Sequence, residues 1–114
     1  MIVKLLLVAL GGAAGSVARF GVGLALPFPP ATVVINIVGS SLIGLVWTML
    51  DPRWHPLLMV GVLGGFTTFS AFSLETLRLV EMGRMGHALA YVGASVILSL
   101  FACWLGMSLG RALA

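Results

Sequence analysis

Hydrophobic residues fill long runs of this 114-residue chain, and charged residues separate the runs at short intervals. With histidine neutral, no formal charge occurs in the 14 residues between Lys4 and Arg19, nor in residues 20–50, 54–74 and 85–110. An α-helix needs about 20 mostly apolar residues to cross a bilayer. The pattern therefore predicts an all-α protein that crosses a membrane several times.

The second run is long enough for two helices, and the proline-rich turn PFPP, Pro27 to Pro30, divides it. Proline ends one helix and favours the first turn of the next. The chain is thus predicted to be a single transmembrane domain, residues 1–114, with four spans at about 2–26, 31–50, 56–80 and 85–110. The loops between these spans are only a few residues long, so no soluble domain remains.

The composition supports this interpretation and excludes several classes of function. The chain is 61% hydrophobic and 8% charged with a mean hydropathy of +1.20, whereas a soluble domain has about 25% charged residues. We therefore expect an integral, multi-pass membrane protein in contact with lipid. Its six basic residues are scattered rather than clustered, so nucleic acid is not an expected partner. The sequence shows no carboxylate pair, no nucleophile with a base, no phosphate loop and no metal-ligand spacing. We therefore do not expect an enzyme.

The basic residues are divided evenly between the two sides of the predicted membrane domain. The side with both termini has Lys4, Arg53 and Arg111, and the other side has Arg19, Arg78 and Arg84. Orientation normally follows an excess of Lys and Arg on the cytoplasmic side, and no excess exists here. The balance predicts insertion in both orientations and hence an antiparallel homodimer, which small-residue pairs along the spans also favour. With so few charges an even count can also arise by chance, and the charges alone leave both interpretations open.

Polar residues recur every four positions in the second and fourth spans. The two series are Thr32, Asn36, Ser40, Gly44 and Thr48, and His87, Tyr91, Ser95, Ser99 and Cys103. On a helix each series forms a slowly winding stripe, which must face protein or water because polar groups within a membrane need partners. Any one hydroxyl could instead bond back to its own helix. The Asn36 amide is the least compatible with that simpler explanation, since it is costly to bury unpaired.

Two charged residues within or beside spans each allow two interpretations. Arg19 lies eight residues before Pro27, so about 12 Å of helix separates it from the turn. It is either a functional residue at membrane depth or a long side chain that reaches the interface. Glu75 is either buried or lines a water-accessible vestibule, or it forms an ion pair at a helix end, with Glu75 near Arg78 and Arg78 near Glu81.

The stretch GGFTTFSAFS, residues 64–73, interrupts the third apolar span. Paired glycines weaken a helix, and irregular backbone within a membrane occurs where it is buried in protein or lines a cavity. Freed carbonyls between Gly64 and Ser70 could hold a cation, and freed N–H groups could hold an anion. The ring edges of Phe69 and Phe72 carry partial positive charge and would suit a small anion, although core packing is the simpler explanation of this spacing.

Three motifs together resemble the fluoride-specific ion channel family, also called Fluc or CrcB. They are GGAAGSVARF in the first span, ATVVINIVGSSLIG in the second and GVLGGFTTFSAFSLE in the third. The third motif is highly specific, and the other two support it in the expected order and spacing. The resemblance covers essentially the whole chain and agrees with its length and four-span layout.

The resemblance implies a passive, fluoride-selective channel of the plasma or inner cell membrane, which exports cytoplasmic fluoride through two pores in a dual-topology antiparallel homodimer. It also implies a structural sodium ion at the dimer centre, held by the backbone carbonyls of Gly64 and Thr67. The residues implied for the fluoride pathway are Thr32, Asn36, Phe69, Ser70, Phe72, Glu75, Tyr91, Ser95 and Ser99. Arg19 matches an arginine of the family and is given a supporting role. Ala71 stands where many relatives have a hydroxyl, so no role is carried over to it.

Two other functions are compatible with a small four-span protein. A small dual-topology multidrug-type transporter shares the size and the span count, but that class couples protons through an intramembrane carboxylate, and the first span here has none. A non-transporting assembly subunit would show no flux and would tolerate Asn36→Ala or Phe69→Ala. Flux assays on the purified protein distinguish the three functions.

Overall fold

The computed structural model describes residues 1–27 and 30–114, and these ranges form helices joined by short connections without any strand. In chain order the elements are α1 (Ile2–Ala25), α2 (Pro30–Met49), a 3₁₀ turn (Pro52–Trp54), a π-helix (Pro56–Leu63), α3 (Gly64–Phe66), α4 (Phe69–Glu81) and α5 (Met85–Leu113). The predicted turn at Pro27–Pro30 lies partly outside the described residues.

Four segments in these ranges are long and apolar enough to cross a membrane. They are Ile2–Ala25, Pro30–Met49, Pro52–Glu81 and Met85–Leu113. The predicted all-helical fold with four spans is therefore confirmed. The third of these segments contains the interruption that the sequence predicts, and the rest of this span is helical on both sides of it.

The interruption lies later in the chain than its glycine pair suggests. Gly64 and Gly65 are helical, and only Thr67 and Thr68 adopt extended backbone conformations. Ser70, which the prediction placed in the break, lies in the first turn of α4. Two adjacent threonines therefore form the break, and the glycines before them remain in the helix.

Close glycine contacts join α1 to the first half of the third span. A side chain at Gly11 or Gly15 would overlap with the backbone of the π-helix, and a Cβ at Gly65 would lie 2.7 Å from the carbonyl oxygen of Gly12. Small residues let membrane helices approach each other in this way. These small-residue pairs are used within one chain, so they do not support the predicted dimer as the sequence suggested.

The helices α2 and α5 pack against each other along most of their length. A side chain at Gly106 would overlap with the backbone of Ser41, and one at Gly110 would overlap with the side chain of Thr48. Because the contact advances along both helices together, α2 and α5 run in the same direction. Their polar stripes can therefore lie side by side.

A small buried cluster joins α4 to α5 and contains Phe72, Leu79, Ala88 and Tyr91. Leu79, at 1% exposure, is the most buried large side chain of the described residues. Most other large apolar side chains lie on the outer surface, as a helix bundle in lipid requires. Phe72 connects the cluster to the break, where the interior contains cavities instead of large side chains.

Candidate ion pathway at the break of the third span

Thr67 and Thr68 separate α3 from α4 with extended backbone, at φ/ψ angles of −82°/159° and −152°/122°. The Thr68 hydroxyl accepts a hydrogen bond from the Ala71 N–H at 3.1 Å, which is the usual N-cap arrangement at the start of a helix. The Thr67 hydroxyl donates to the Leu63 carbonyl oxygen one turn back, at 2.9 Å. One threonine thus closes the first helix and the other begins the next.

The Asn36 side chain of α2 binds both polar groups of the Thr68 backbone. Its Nδ2 donates to the Thr68 carbonyl oxygen at 3.0 Å, and its Oδ1 accepts from the Thr68 N–H at 2.8 Å. A side-chain amide matches a peptide group donor for acceptor, so one residue satisfies the unwound peptide. Asn36 therefore stabilises the break itself.

Neighbouring helices fix the break at two further points. Arg19 Nε donates to the Gly65 carbonyl oxygen at 3.1 Å, so this arginine binds within the bundle rather than extending to the membrane surface. In α2, a side chain at Gly39 would overlap with the methyl group of Thr67. Arg19 thus supplies a donor at the end of the broken helix, and Gly39 supplies the space that Thr67 occupies.

Two backbone carbonyls of the break have lost the donors that a continuous helix would provide. The Thr68 N–H bonds to Asn36 and not to the Gly64 carbonyl four residues before it. The Ala71 N–H bonds to the Thr68 hydroxyl and not to the Thr67 carbonyl. Carbonyl oxygens released from a helix in a membrane are suitable ligands for a cation. No cluster of three or more His, Cys, Asp or Glu side chains suited to a metal occurs in residues 1–27 and 30–114.

A cavity of about 430 Å³, termed the serine cavity, lies between the third span, α2 and α5. Its polar lining residues are Asn36, Ser40, Thr67, Thr68, Ser95 and Ser99, and none of the described side chains that line it carries a formal charge. The hydroxyls of Ser95 and Ser99 are buried and have no hydrogen-bond partner in the described part of the chain. Because an unpaired buried hydroxyl is unfavourable, both are available to a small hydrogen-bonding ligand.

Two phenylalanine rings border the serine cavity and differ in exposure. The ring centroids of Phe69 and Phe72 lie 5.4 Å apart, with the planes tilted by 59°. Phe72 is buried and stacks on Tyr91, with centroids 5.6 Å apart and planes at 11°. Phe69 is 77% exposed. Phe72 is thus held inside the bundle by its packing, whereas Phe69 lies at the surface of the chain.

A second cavity of about 270 Å³, termed the arginine cavity, also contacts Thr68. Its other polar lining residues are Arg19, Thr32 and Glu75. The Glu75 carboxylate accepts hydrogen bonds from the Thr32 hydroxyl at 3.0 Å and from the Tyr91 hydroxyl at 2.5 Å. Glu75 therefore joins α2, α4 and α5 inside the bundle.

Comparison with known proteins relates this arrangement to one family. The family model described as CrcB-like protein, Camphor Resistance (CrcB), matches residues 6–107. The chain belongs to the CrcB family. Similar proteins named fluoride-specific ion channel FluC come from Cereibacter sphaeroides, 50% identical over 97% of both chains, and from Thermus thermophilus, 47% identical over 96% of this chain and 97% of the relative. Another, from Acidobacterium capsulatum, is 45% identical over 95% of this chain and 96% of the relative.

Membership of the CrcB family confirms two predictions from the sequence. The chain is a multi-pass membrane protein, with four helical segments long enough to span a bilayer. It belongs to a family of channels rather than enzymes. Membership of this family accounts for the small size and the four spans. The multidrug-type alternative is therefore not needed to explain them.

In this CrcB protein, the residues predicted for the site form two groups around Thr68. Those that line the serine cavity are Asn36, Gly64, Thr67, Phe69, Phe72, Ser95 and Ser99. Those that line the arginine cavity are Arg19, Thr32 and Glu75. Tyr91 connects the groups, because it stacks on Phe72 and donates to Glu75. Ser70 is exposed on α4, with its hydroxyl 3.3 Å from that of Thr68.

Three residues of the site had no predicted role: Thr68, Gly39 and Ser40. A threonine just before a helix restarts is an N-cap signal, so the role of Thr68 could have been found from sequence. The role of Gly39 depends on Thr67 in another helix and has no local signal. Ser40 belongs to the four-residue stripe of α2, but that spacing does not distinguish a free hydroxyl from one that bonds back to its own helix.

Proposed function

We propose that this protein is a passive, fluoride-selective channel, in keeping with the names of its FluC relatives. The observation that carries the proposal is the pair of buried, unpartnered hydroxyls of Ser95 and Ser99 in an uncharged cavity beside Asn36. Neutral donors can bind an anion without holding it as tightly as a positive charge would. Conduction requires this balance, because the ion must enter the site and also leave it.

Fluoride is small, strongly hydrated and a strong hydrogen-bond acceptor, so a pathway must replace its water with several donors. The two serine hydroxyls can donate, and Asn36 Nδ2 has a second hydrogen besides the one donated to Thr68. The ring edges of Phe69 and Phe72 add partial positive charge beside these groups. A larger halide would fit a tight set of donors poorly. Net transport is passive and lets cytoplasmic fluoride leave the cell.

Two copies of the chain would assemble in opposite orientations, with two fluoride pathways in each dimer. Two observations support this assembly. Phe69 is 77% exposed beside a polar cavity in the middle of a span, so a second copy would cover it and complete the cavity wall. With Arg19 bound inside the bundle, three basic residues remain on one side and two, Arg78 and Arg84, on the other, so no marked excess would prevent either orientation from inserting.

A structural sodium ion at the dimer centre would be held by the carbonyls of Gly64 and Thr67. Both carbonyls lack their helical N–H donors. The space around position 64 is open, since a Cβ there would approach only the Met59 carbonyl oxygen of the same helical segment, at 3.5 Å. These features fit a cation coordinated by backbone oxygens. The positive charge of the ion would hold together the breaks of the two subunits.

The central experiment compares fluoride and chloride efflux from liposomes that contain the purified protein. With valinomycin to balance charge, liposomes loaded with potassium fluoride should empty, and matched liposomes loaded with potassium chloride should retain their contents. Equal efflux of both anions would end the claim of selectivity. No fluoride efflux would favour a non-transporting assembly subunit.

The sodium proposal is tested separately by purification and assay with sodium replaced by a large organic cation. Loss of the ion should lower fluoride flux and weaken the dimer in size-exclusion chromatography. Full activity without sodium, together with no cation density at the break in an experimental structure, would count against the proposed ion.

A further inference from the structure

The polar stripes of α2 and α5 are aligned at both ends of the serine cavity. At one end, a Cβ at Gly44 would lie 2.5 Å from the carbonyl oxygen of Cys103. At the other end, the hydroxyls of Thr32 and Tyr91 bind the same carboxylate, that of Glu75. The two helices therefore run side by side and in the same direction along the cavity.

Along this stretch each helix has two polar residues four positions apart, Asn36 and Ser40 in α2 and Ser95 and Ser99 in α5. Because the helices are parallel and four residues rise about 6 Å, the second residue of each helix lies about 6 Å beyond the first, in the same direction. All four side chains line the serine cavity. The cavity thus has two successive polar side chains on each of its two long helices.

The Ser40 hydroxyl differs from its neighbours in α2, because no hydrogen bond engages it within the described ranges. The adjacent Ser41 donates to the Val38 carbonyl oxygen at 2.8 Å, and Thr48 donates to the Gly44 carbonyl oxygen at 2.9 Å. Both of these hydroxyls are satisfied by their own helix, as is common for Ser and Thr in membrane helices. Ser40 instead lines the cavity with an unused donor.

We propose that Ser40 is a further fluoride-binding residue of the pathway and contacts the ion together with Ser99. The inference rests on the proposed channel function and adds a second level of donors, one helical turn beyond Asn36. The hydroxyls of Ser95 and Ser99 provide support, because they are buried in the same cavity without a partner among the described residues, and Ser95 is only 5% exposed. An ion that leaves Asn36 and Ser95 would meet the hydroxyls of Ser40 and Ser99 next.

The test compares Ser40→Ala with Ser41→Ala by fluoride efflux from liposomes. Both substitutions remove a serine hydroxyl, from adjacent positions of one helix, and of the two residues only Ser40 lines the cavity. We expect Ser40→Ala to slow fluoride flux about tenfold, since it removes one hydrogen bond to an anion, and Ser41→Ala to retain wild-type flux. Ser40→Thr, which keeps the hydroxyl, should retain most of the flux. All variants should keep the wild-type elution volume in size-exclusion chromatography.

Wild-type flux in Ser40→Ala would overturn the inference, and so would equal losses in the Ala variants of Ser40 and Ser41. Ser99→Ala in the same assay separates this result from failure of the proposed function. If Ser99→Ala slows fluoride flux and Ser40→Ala does not, the channel proposal stands and the role of Ser40 is wrong. If the wild-type protein conducts no fluoride, the channel proposal itself fails.

Discussion

The serine cavity and the arginine cavity both contact Thr68, but their polar groups are arranged in opposite ways. In the serine cavity the polar side chains are neutral, and two buried hydroxyls have no partner in residues 1–27 and 30–114. In the arginine cavity the charged groups are engaged, since Arg19 binds the Gly65 carbonyl and both oxygens of Glu75 accept hydrogen bonds. One cavity has unused donors that can bind an ion, and the other has bonded charges that hold helices together.

This difference distinguishes two roles of polar groups inside a membrane, one that stabilises the fold and one that binds an ion. A charge with satisfied hydrogen bonds stabilises one arrangement, because its removal leaves its partners unpaired. A neutral hydroxyl without a partner can donate a hydrogen bond to any acceptor that passes. Breaking that bond again costs only a modest free energy. We therefore expect substitutions in the serine cavity to change fluoride flux more than substitutions in the arginine cavity.

The largest effect is expected from Asn36→Asp, which puts a negative charge into the serine cavity and removes the donor to the Thr68 carbonyl. At a separation of about 4 Å and an effective dielectric constant of about 20, repulsion of the anion is about 4 kcal/mol, so flux should fall at least roughly a hundredfold. A fluoride electrode measures the efflux. Thr48→Val is the control, because its hydroxyl bonds only to its own helix. Near-normal flux in Asn36→Asp would show that the anion does not pass this cavity.

A smaller loss is expected from Phe69→Ile or Phe72→Ile, each of which removes a polarised ring edge. An ion–edge interaction as strong as that of an aromatic pair, about 0.5–1.5 kcal/mol, corresponds to roughly threefold to tenfold slower flux. The dimer should remain intact in size-exclusion chromatography. Phe101→Ile is the matched control, since this ring is 52% exposed on α5 and stacks on Trp104. Unchanged flux in both break variants would refute a pore role for the rings.

A still smaller change is expected from Arg19→Lys, which keeps the positive charge and loses the Nε donor to the Gly65 carbonyl. Loss of one hydrogen bond predicts about threefold lower flux and a lower melting temperature of the purified protein. Both quantities can be measured on one preparation. Full flux in Arg19→Lys with a large loss in Arg19→Gln would show that the charge matters and the bond does not.

The smallest effect is expected from Glu75→Gln. The side-chain amide can still accept from one of the two hydroxyls, of Thr32 and Tyr91, so flux should change about twofold or less. Glu81→Gln, at the exposed end of α4, serves as the control for loss of a carboxylate. A loss larger than that of Ser99→Ala would contradict the comparison and indicate that the Glu75 charge acts on the ion directly.

The break shows how far local sequence rules reach. The glycine pair correctly indicated an interruption nearby, but Gly64 and Gly65 are helical and the chain unwinds at Thr67 and Thr68. The reason lies 32 positions earlier, where Asn36 offers a donor and an acceptor to the Thr68 peptide. Unwinding costs least where another side chain replaces the lost helical bonds, and no local propensity contains that information.

Ser40 and Ser41 show the same limit for the functional site. They are adjacent, identical in chemistry and part of one apolar span, yet Ser41 bonds to its own helix and Ser40 lines the cavity. The four-residue spacing correctly selected the stripe that contains Ser40. It could not show whether a hydroxyl in the stripe was free, because that depends on how α5 packs beside α2.

The sequence by itself determined the four membrane spans, because bilayer thickness sets a length that the apolar runs meet. Its motifs also indicated the family, and its stripes indicated which helix faces are polar. The tertiary structure decided where the third span breaks, which polar groups are paired and how the donors divide between two cavities. These features depend on contacts between residues far apart in the chain, and such contacts exist only after the helices have packed.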